Sequence, residues 1–229
     1  MRSNAVGSMA ESGRSRGRSP DAAFQRDVRA PAPPQLPIFR SRLQGGLLGR
    51  LLLGPRREAS MLDLAVMLRT DLGTVMREVE RLSRAGVLAL RRTLAGRLVS
   101  RDEHSPLYEP LARLVMLTFG PAAVVAEEFG RLPAVREAHL FGPWAARYAG
   151  VPGDQPVDVD VLLVGDLGRE TAFDAAQEAA ARLGLPVHPV VRTPAEWTDD
   201  TDPFLREIRA GHMHTVVRGG SAYHPGRAP

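Results

Sequence analysis

The sequence predicts an α+β fold in two unlike parts, and three patterns support this prediction. Residues 38–86 carry apolar side chains at helical spacing in three successive stretches. Residues 87–101 alternate like two short strands around a turn at 94–96. From Val135 onwards, strand, loop, strand, helix and strand patterns follow one another, which is typical of a small α/β unit.

Each of the three helical stretches has a predicted buried face and a predicted end. The first stripe consists of Phe39, Leu43, Leu47 and Leu51, and Gly54-Pro55 ends that helix. The second helix begins at an N-cap, Ser60, with Asp63 three residues on, and its buried face is predicted to be Leu62, Leu64, Ala65 and Leu68. The third turns Val75, Val79 and Leu82 inward and ends before Gly86.

The charge of the chain changes sign along its length. All 30 basic residues are arginine, and the formal net charge of the 229 residues is +4. Residues 1–37 carry a net charge of +3, residues 38–101 of +8 and residues 102–229 of −7. A basic middle followed by an acidic remainder predicts two units with different partners, one of them polyanionic.

Composition excludes several classes of site. The chain has no cysteine, so a disulfide framework and a thiolate metal site are both excluded, which fits a reducing cytoplasm. No uncharged apolar stretch approaches the roughly 18 to 20 residues that a membrane helix needs. We therefore expect a cytoplasmic protein without a membrane partner.

These patterns divide the chain into five segments. We expect an Arg/Ser/Pro-rich disordered tail over residues 1–37 and a helical linker or dimerisation segment over 105–130, between two folded units. The folded units are predicted over residues 38–104 and 131–211, and a loose tail over 212–229.

Helix, helix, turn, helix and basic hairpin is the order of a winged helix-turn-helix, which binds double-stranded DNA through its third helix. With the apolar residues inward, that helix is predicted to turn outward Gly73, Thr74, Arg77, Glu78, Arg81 and Arg84. The candidate DNA-binding residues are Thr74, Arg77, Arg81 and Arg84 on the helix and Arg91, Arg92 and Arg97 on the hairpin. The alternative is that these arginines form an ordinary solvated surface.

Residues 38 to about 120, from "LLGRLLLGPRREASMLDLAVML" through "LARLVMLTFG", resemble the ArsR-type winged-helix regulators, in the version joined to a nucleotidyltransferase-like domain. The resemblance implies a homodimer. Metal-sensing members of that family use cysteine clusters, so the absence of cysteine excludes thiolate metal sensing in this chain.

Two aspartates in "VDVDVLLVG" lie within an otherwise apolar strand pattern. Residues i and i+2 of a strand point to the same face, so Asp158 and Asp160 are expected to project together while Val157, Val159 and Val161 enter the other side. Paired carboxylates on a rigid element can hold a divalent cation. The alternative is an amphipathic edge strand with two solvated aspartates.

The segment "FGPWAARYAG" followed by this aspartate pair resembles the minimal nucleotidyltransferases of the DNA polymerase β superfamily, with their G-S-x-A-R-G, loop and D-x-D pattern. The resemblance covers roughly residues 133–210 and implies Mg²⁺ held by Asp158 and Asp160, the catalytic pair, and an NTP. It also implies a nucleotide-binding turn formed by Gly142, Pro143 and Arg147.

The chain departs from that pattern at three places. The usual serine is Pro143, which removes a hydroxyl and a backbone donor, and the arginine falls one position late. The third carboxylate expected on the following strand is absent: "PVHPVVRT" offers His188, and Glu196 lies beyond it.

Three functions follow from these patterns. The first is a dimeric transcriptional regulator whose second unit binds a Mg²⁺-nucleotide or a partner protein. The second is an active nucleotidyltransferase that modifies a protein acceptor, as antitoxins of the resembled family modify a ribonuclease toxin. The third is a docking protein without catalytic activity.

Overall fold

The computed structural model describes residues 39–55, 58–94, 96–219 and 221–222; the tail predicted over 1–37 lies outside them. The helices are α1 (Arg42–Leu48), α2 (Met61–Met67), α3 (Leu72–Arg84), α4 (Tyr108–Phe119), α5 (Pro121–Phe129), α6 (Gly142–Tyr148), α7 (Arg169–Leu183), α8 (Pro194–Thr198) and α9 (Pro203–Ala210). The strands are β1 (Glu58–Ser60), β2 (Leu88–Thr93), β3 (Gly96–Arg101), β4 (Val135–Phe141), β5 (Val159–Gly165), β6 (Val187–Arg192), β7 (Met213–Arg218) and β8 (Ser221–Ala222). The mixed α+β composition that the sequence predicted is confirmed.

The first three helical stretches form as the sequence predicted. α1 continues into a π-helical turn, Gly49–Leu53, and the apolar stripe from Phe39 to Leu51 is buried. At α2 the Ser60 side chain accepts the Asp63 N–H while Asp63 accepts the Ser60 N–H, so the predicted capping box is present. The prediction for Leu62 was wrong: it is 63% exposed, because α2 turns Met61, Leu64 and Ala65 towards the core, with Leu68 following just after the helix.

The basic hairpin is part of a three-stranded antiparallel sheet. The strand order is β1-β3-β2, and β1 is an element that sequence patterning missed. The predicted hairpin is confirmed, with Arg92 opposite Arg97 and Thr93 opposite Gly96. The hairpin thus follows α3 along the chain and carries two arginines on each of its strands, β2 and β3.

The second part of the chain forms a five-stranded sheet in the order β6-β5-β4-β7-β8. β5 pairs in parallel with β6 and antiparallel with β4, and β4 also pairs antiparallel with β7. The loose tail predicted from residue 212 was therefore wrong over Met213–Arg218. That segment buries Val216 and Val217, and its backbone hydrogen-bonds to a strand some 75 residues earlier in the chain, a pairing that local patterning does not reveal.

Helices cover both faces of this sheet. Val159, Val161 and Leu163 of β5 enter the main hydrophobic core together with α5, α6 and α7. Leu162 and Val164 point the other way and pack under α9, against Leu205 and Ile208. Asp160 belongs to this second face by alternation, since residues i and i+2 of a strand share a face.

The main core runs without interruption from Phe39 to Val217 and so includes both parts of the chain. Tyr148 of α6 connects them near the bend between α4 and α5. Its hydroxyl donates to the Met116 carbonyl at 2.8 Å and accepts the Ala122 N–H at 3.0 Å, and all three groups are buried. The predicted domain bounds remain a prediction from charge and patterning.

Arg50 makes a second connection between the two parts. Its guanidinium donates to the carbonyl oxygen of Ala181, in the last turn of α7, where the helix dipole favours a cation. Burial and, second to it, the nearby charge of Arg69 together lower the pKa of Arg50 to about 10. The arginine therefore caps a helix of the second unit from the first helical segment of the chain.

One stretch of the described helices, Tyr108–Phe129, is long and apolar enough to cross a membrane, with a mean hydropathy of 1.3. The sequence-based expectation had found no such stretch. In the structure Gly120 breaks it into α4 and α5, and 56% of it is buried inside the protein, as in the core helices of soluble domains.

We expect Tyr148→Phe to lower the free energy of unfolding by about 1–3 kcal/mol, because it leaves a buried backbone N–H without its acceptor and a carbonyl without its donor. Equilibrium urea denaturation measures this loss. The matched control is Tyr108→Phe, whose hydroxyl makes no hydrogen bond within the described residues and which should change stability by less than about 0.5 kcal/mol. Equal losses in the two variants would contradict the role of Tyr148.

Candidate functional site

The candidate site begins where β4 turns into α6. Phe141, the last residue of β4, lies opposite Asp160 of β5, and Gly142 follows it with a φ of +66°. A Cβ atom at Gly142 would lie 2.9 Å from Oδ2 of Asp160. Glycine is therefore needed here for two reasons, the left-handed backbone and the space that the carboxylate occupies.

Asp160 lies in an environment that disfavours its negative charge. Asp158 immediately precedes β5 and its side chain is 40% exposed, whereas Asp160 lies within the strand and is half-buried. Burial raises the pKa of Asp160, and the negative charge of Asp158 raises it further, against a smaller opposing effect of His188. A cation between the two carboxylates would remove this penalty.

His188 lies where the sequence pattern lacks its third carboxylate. It is opposite Asp160 in the parallel pairing of β5 with β6, and its Nε2 lies 3.7 Å from Oδ2 of Asp158. Glu196, the next acid along the chain, is engaged elsewhere: its carboxylate accepts the Thr193 N–H at 2.7 Å and completes the N-cap of α8. His188 is thus the titratable side chain that accompanies the aspartate pair.

The carboxylates of Asp158 and Asp160 suit Mg²⁺ only if a further ligand completes its coordination. Carboxylate oxygens are the ligands that Mg²⁺ prefers, and Mg²⁺ sites commonly combine one or two carboxylates with substrate phosphates and water. Within the described part of the chain, no three His, Asp or Glu side chains already stand in metal-ligating geometry. The described residues therefore do not form a complete set of protein ligands for a metal ion. Asp158 and Asp160 fit a cation that is bound together with a phosphate-bearing ligand.

Other residues expected at this site have different surroundings. Val157 was expected to be buried but is 61% exposed, because the strand begins only at Val159. Pro143 lies in the first turn of α6, where it removes one backbone donor. Arg147 lies at the far end of α6: its Nη1 lies 3.5 Å from the Val151 carbonyl, and no described hydrogen bond or ion pair joins it to either aspartate.

Two of the candidate DNA-binding residues of α3, Thr74 and Arg77, lie near its N-terminus and contact each other. Asp71 caps the helix by accepting the Thr74 N–H at 2.8 Å and the Thr74 hydroxyl at 2.7 Å. Arg77 donates to the same hydroxyl at 2.8 Å, while its side chain stays exposed. Arg84, the last residue of the helix, is exposed as well.

Acidic residues partner several of the remaining arginines. Glu78 was expected to face outward, which was wrong: it is 8% exposed, on the same side as Val75 and Val79, and its carboxylate pairs with Arg81. Arg97 lies 3.3 Å from Glu80 of α3. Arg91 lies 2.8 Å from Glu58 of β1, and Arg92 is exposed.

Sequence reasoning missed a buried histidine on β4, two residues before Phe141. His139 of β4 is 2% exposed, and its ring nitrogens lie 3.0 Å from Thr215 Oγ1 and 3.0 Å from Glu137 Oε2. Burial lowers the pKa of His139 despite the opposing charge of Glu137. Its partner Thr215 lies on β7, the strand that patterning missed, so no local signal pointed to this cluster.

Comparison with known proteins gives limited information. No family model and no curated protein matches the chain. Among solved structures, a candidate nucleotidyltransferase from Sulfolobus solfataricus is 16% identical over 49% of this chain and 88% of that one, with a TM-score of 0.31. The complex of tri-AMPylated Shewanella oneidensis HEPN toxin with MNT antitoxin contains a chain that is 14% identical over 41% of this chain and 70% of that one, with a TM-score of 0.27. TM-scores this low do not define a shared fold, so function has to be argued from the site itself.

We expect Gly142→Ala to destabilise the protein and to displace the Asp160 carboxylate. Gly150→Ala is the matched control, because Gly150 has a φ of +86° with nothing within 4 Å of an added Cβ. Each variant should lose about 1–2 kcal/mol from left-handed strain, measured by urea unfolding. Gly142→Ala should lose more than this and should also weaken Mn²⁺ binding, measured by electron paramagnetic resonance. Identical stability and Mn²⁺ affinity in the two variants would contradict the contact.

Proposed function

We propose that the second unit binds a nucleotide together with Mg²⁺ and that the first unit binds double-stranded DNA, which makes the protein a nucleotide-responsive transcriptional regulator. The observation that carries the nucleotide half is the approach of Gly142 to the Asp160 carboxylate, 2.9 Å from an added Cβ. The glycine lets the turn between strand and helix lie directly beside the carboxylate pair, and the pair would supply ligands for the counter-ion of a phosphate.

Each residue of the site has a defined part in this proposal. Asp158 and Asp160 hold the cation, Gly142 allows the phosphates to approach, and Pro143 fixes the start of α6 without a donor of its own. When bound, Mg²⁺ would neutralise phosphate charge and polarise the phosphorus. The resemblance to minimal nucleotidyltransferases, given by the G-x-x-x-x-R turn and the D-x-D pair, supports the same assignment.

A more specific form of the proposal is that the second unit catalyses nucleotidyl transfer. An acceptor hydroxyl would form a bond to the α-phosphorus of an NTP, the bond to pyrophosphate would break, and the hydroxyl proton would pass to a base. His188, with Nε2 3.7 Å from Asp158, is the described side chain placed to accept that proton. A protein acceptor, such as a ribonuclease toxin, would be the partner in this reaction.

Nucleotide binding can be tested without knowing the acceptor. We expect a fluorescent ATP analogue to bind in the presence of Mg²⁺ and Asp160→Asn to weaken that binding at least about tenfold, since it removes half of the carboxylate pair. Asp174→Asn, on the exposed side of α7, makes the same charge change away from the site and should bind like the wild type. Equal affinity in both variants would contradict the nucleotide site.

The same variants separate binding from transfer. ATP labelled at the α-phosphate, incubated with Mg²⁺ and a lysate of the source cells, should label a protein only if the chain is an active transferase, and Asp160→Asn should abolish the label. Binding without any label would leave a regulator or docking protein that uses nucleotide as a ligand.

The DNA-binding half rests on α3 and the β2–β3 hairpin. A helix preceded by a short turn and followed by a basic hairpin is the arrangement that winged helix-turn-helix proteins use to enter the major groove. Arg77 and Arg84 are exposed on α3, and Arg92 is exposed on the hairpin, so all three are placed to meet phosphates or base edges. The ArsR-type resemblance supports this half and adds a homodimer, whose two copies would contact two half-sites.

We expect the affinity for duplex DNA to fall steeply as the salt concentration rises. Arg77→Ala should lower this affinity, and it should reduce the slope of log K against log salt by the amount expected for about one phosphate contact. Fluorescence anisotropy with a duplex from the protein's own promoter region measures both quantities. Arg169→Ala removes the same charge at the start of α7 and serves as the control. A parallel loss in both variants, or none in either, would contradict a DNA surface on α3.

A further inference from the structure

A cavity of about 350 Å³ lies beside α6, and neither Asp158 nor Asp160 lines it. Its walls come from α4, from α6 and from the loop over residues 149–157 that leads to Asp158, and Leu53 of the π-helical turn closes one side. The Gln155 side chain donates to the Leu53 carbonyl at 2.8 Å and so ties the loop to the first helical segment. The cavity thus lies where both parts of the chain meet.

The polar groups on these walls are predominantly donors. Trp144 and Arg147, three residues apart on α6, face the cavity from the same side of the helix, and Arg113 and Tyr108 face it from α4. Glu109 is the acidic side chain among the described residues that line it. Two guanidinium groups against one exposed carboxylate give the cavity a positive potential.

Trp144 supplies an independent sign that this cavity is built to hold a ligand. The side chain is 1% exposed, yet its Nε1–H, which is buried, has no acceptor among the described atoms of the protein. A buried donor without an acceptor costs about 1–3 kcal/mol, and native proteins rarely retain one without a purpose. An acceptor atom of a bound molecule would satisfy it.

Arg113 and Arg147 are held in place by the protein backbone. Arg113 donates to the carbonyl oxygens of Arg147, at 2.7 Å, and Tyr148, at 3.1 Å, at the C-terminal end of α6. Arg147 reaches the Val151 carbonyl at 3.5 Å, which is a weak contact. Both guanidinium groups contact neutral oxygens in these bonds and keep their full positive charge for a ligand.

We infer that this cavity binds a small organic anion, a carboxylate or phosphate monoester carried on a compact apolar group. The oxyanion would accept from Arg147, Arg113 and the Trp144 Nε1–H, and the apolar part would contact the indole, Met116 and Pro152. The inference is independent of the proposed nucleotide site, because none of Gly142, Asp158 and Asp160 lines this cavity.

Isothermal titration with phenyl phosphate, benzoate and inorganic phosphate tests the inference. We expect phenyl phosphate or benzoate to bind more tightly than inorganic phosphate, because only the first two carry an apolar group. Arg147→Met should weaken the binding at least about tenfold, and Trp144→Phe, which keeps the ring and removes the N–H, should weaken it about threefold or more. A preference for one of the two aromatic anions tells whether the natural ligand is a phosphate ester or a carboxylate.

Two controls locate the binding. Arg206→Met removes the same charge from the exposed side of α9 and should leave the affinity within about twofold. Asp158→Asn should leave it unchanged, because the aspartate pair lies elsewhere. An equal loss in Arg206→Met would show attraction by net charge alone, and a loss in Asp158→Asn would place the anion at the aspartate pair; either result would overturn the inference.

Fluorescence gives a second readout that does not depend on cavity variants. The chain has two tryptophans, so Trp197→Phe leaves Trp144 as the reporter. We expect phenyl phosphate to change the emission of Trp144 over the same concentration range as the titration. The site would be refuted if none of the three anions gave heat or a change of emission up to 10 mM. A dissociation constant of that size corresponds to a binding free energy of about −2.7 kcal/mol, roughly the weakest that would count as binding.

Discussion

The turn at Gly142 is the constraint on which the second unit depends. Its left-handed backbone ends β4 beside the Asp160 carboxylate and sets the direction in which α6 leaves the sheet. That direction brings Trp144 and Tyr148 into the main core, where the Tyr148 hydroxyl joins the bend between α4 and α5. One backbone conformation therefore positions the carboxylate, the cavity beyond α6 and the connection to the first unit, and a side chain at this position would disturb all three.

Burial and charge act in the same direction on Asp160, which makes the site unfavourable for the protein alone. Burial and the neighbouring Asp158 both raise the pKa of Asp160, so the ionised form is less stable than in water. Folding alone offers no reason to keep such a pair on a strand that otherwise buries Val159, Leu162 and Val164. The proposed divalent cation would provide that reason, since the repulsion between the carboxylates would become attraction to a shared ion.

Local sequence patterns predicted most helices and strands well, but they did not predict which elements pack or pair with one another. Apolar spacing and caps located α1 to α3, the hairpin and the strand of the aspartate pair, because these features depend on residues within one or two turns. Met213–Arg218 was missed because a strand of mixed polarity is recognised only through its pairing with β4. Leu62 and Glu78 were misplaced for a related reason: which side of a short helix is buried depends on the neighbouring elements.

The candidate site was predicted in part for the same physical reason. Gly142, Asp158 and Asp160 are close in sequence to the ends of two neighbouring strands, so strand pairing alone brings Gly142 and Asp160 together. Arg147 is also close in sequence, but the helical turn after Gly142 directs it to the opposite end of α6. Strand pairing therefore brings Gly142 and Asp160 together, whereas the helical turn places Arg147 beside the loop carbonyl of Val151.

The arginines of the first unit show why net charge overestimates attraction to a polyanion. Arg81, Arg91 and Arg97 pair with Glu78, Glu58 and Glu80, so half of the six candidate arginines are partly neutralised within the protein. Instead, these pairs link neighbouring elements: Arg97 links the hairpin to α3, and Arg91 links β2 to β1. Exposed pairs of this kind contribute little to stability, but they restrict the angle between hairpin and helix. The charge left for a partner is then concentrated on Arg77, Arg84 and Arg92, on the surface where a groove-binding helix and its hairpin would meet DNA.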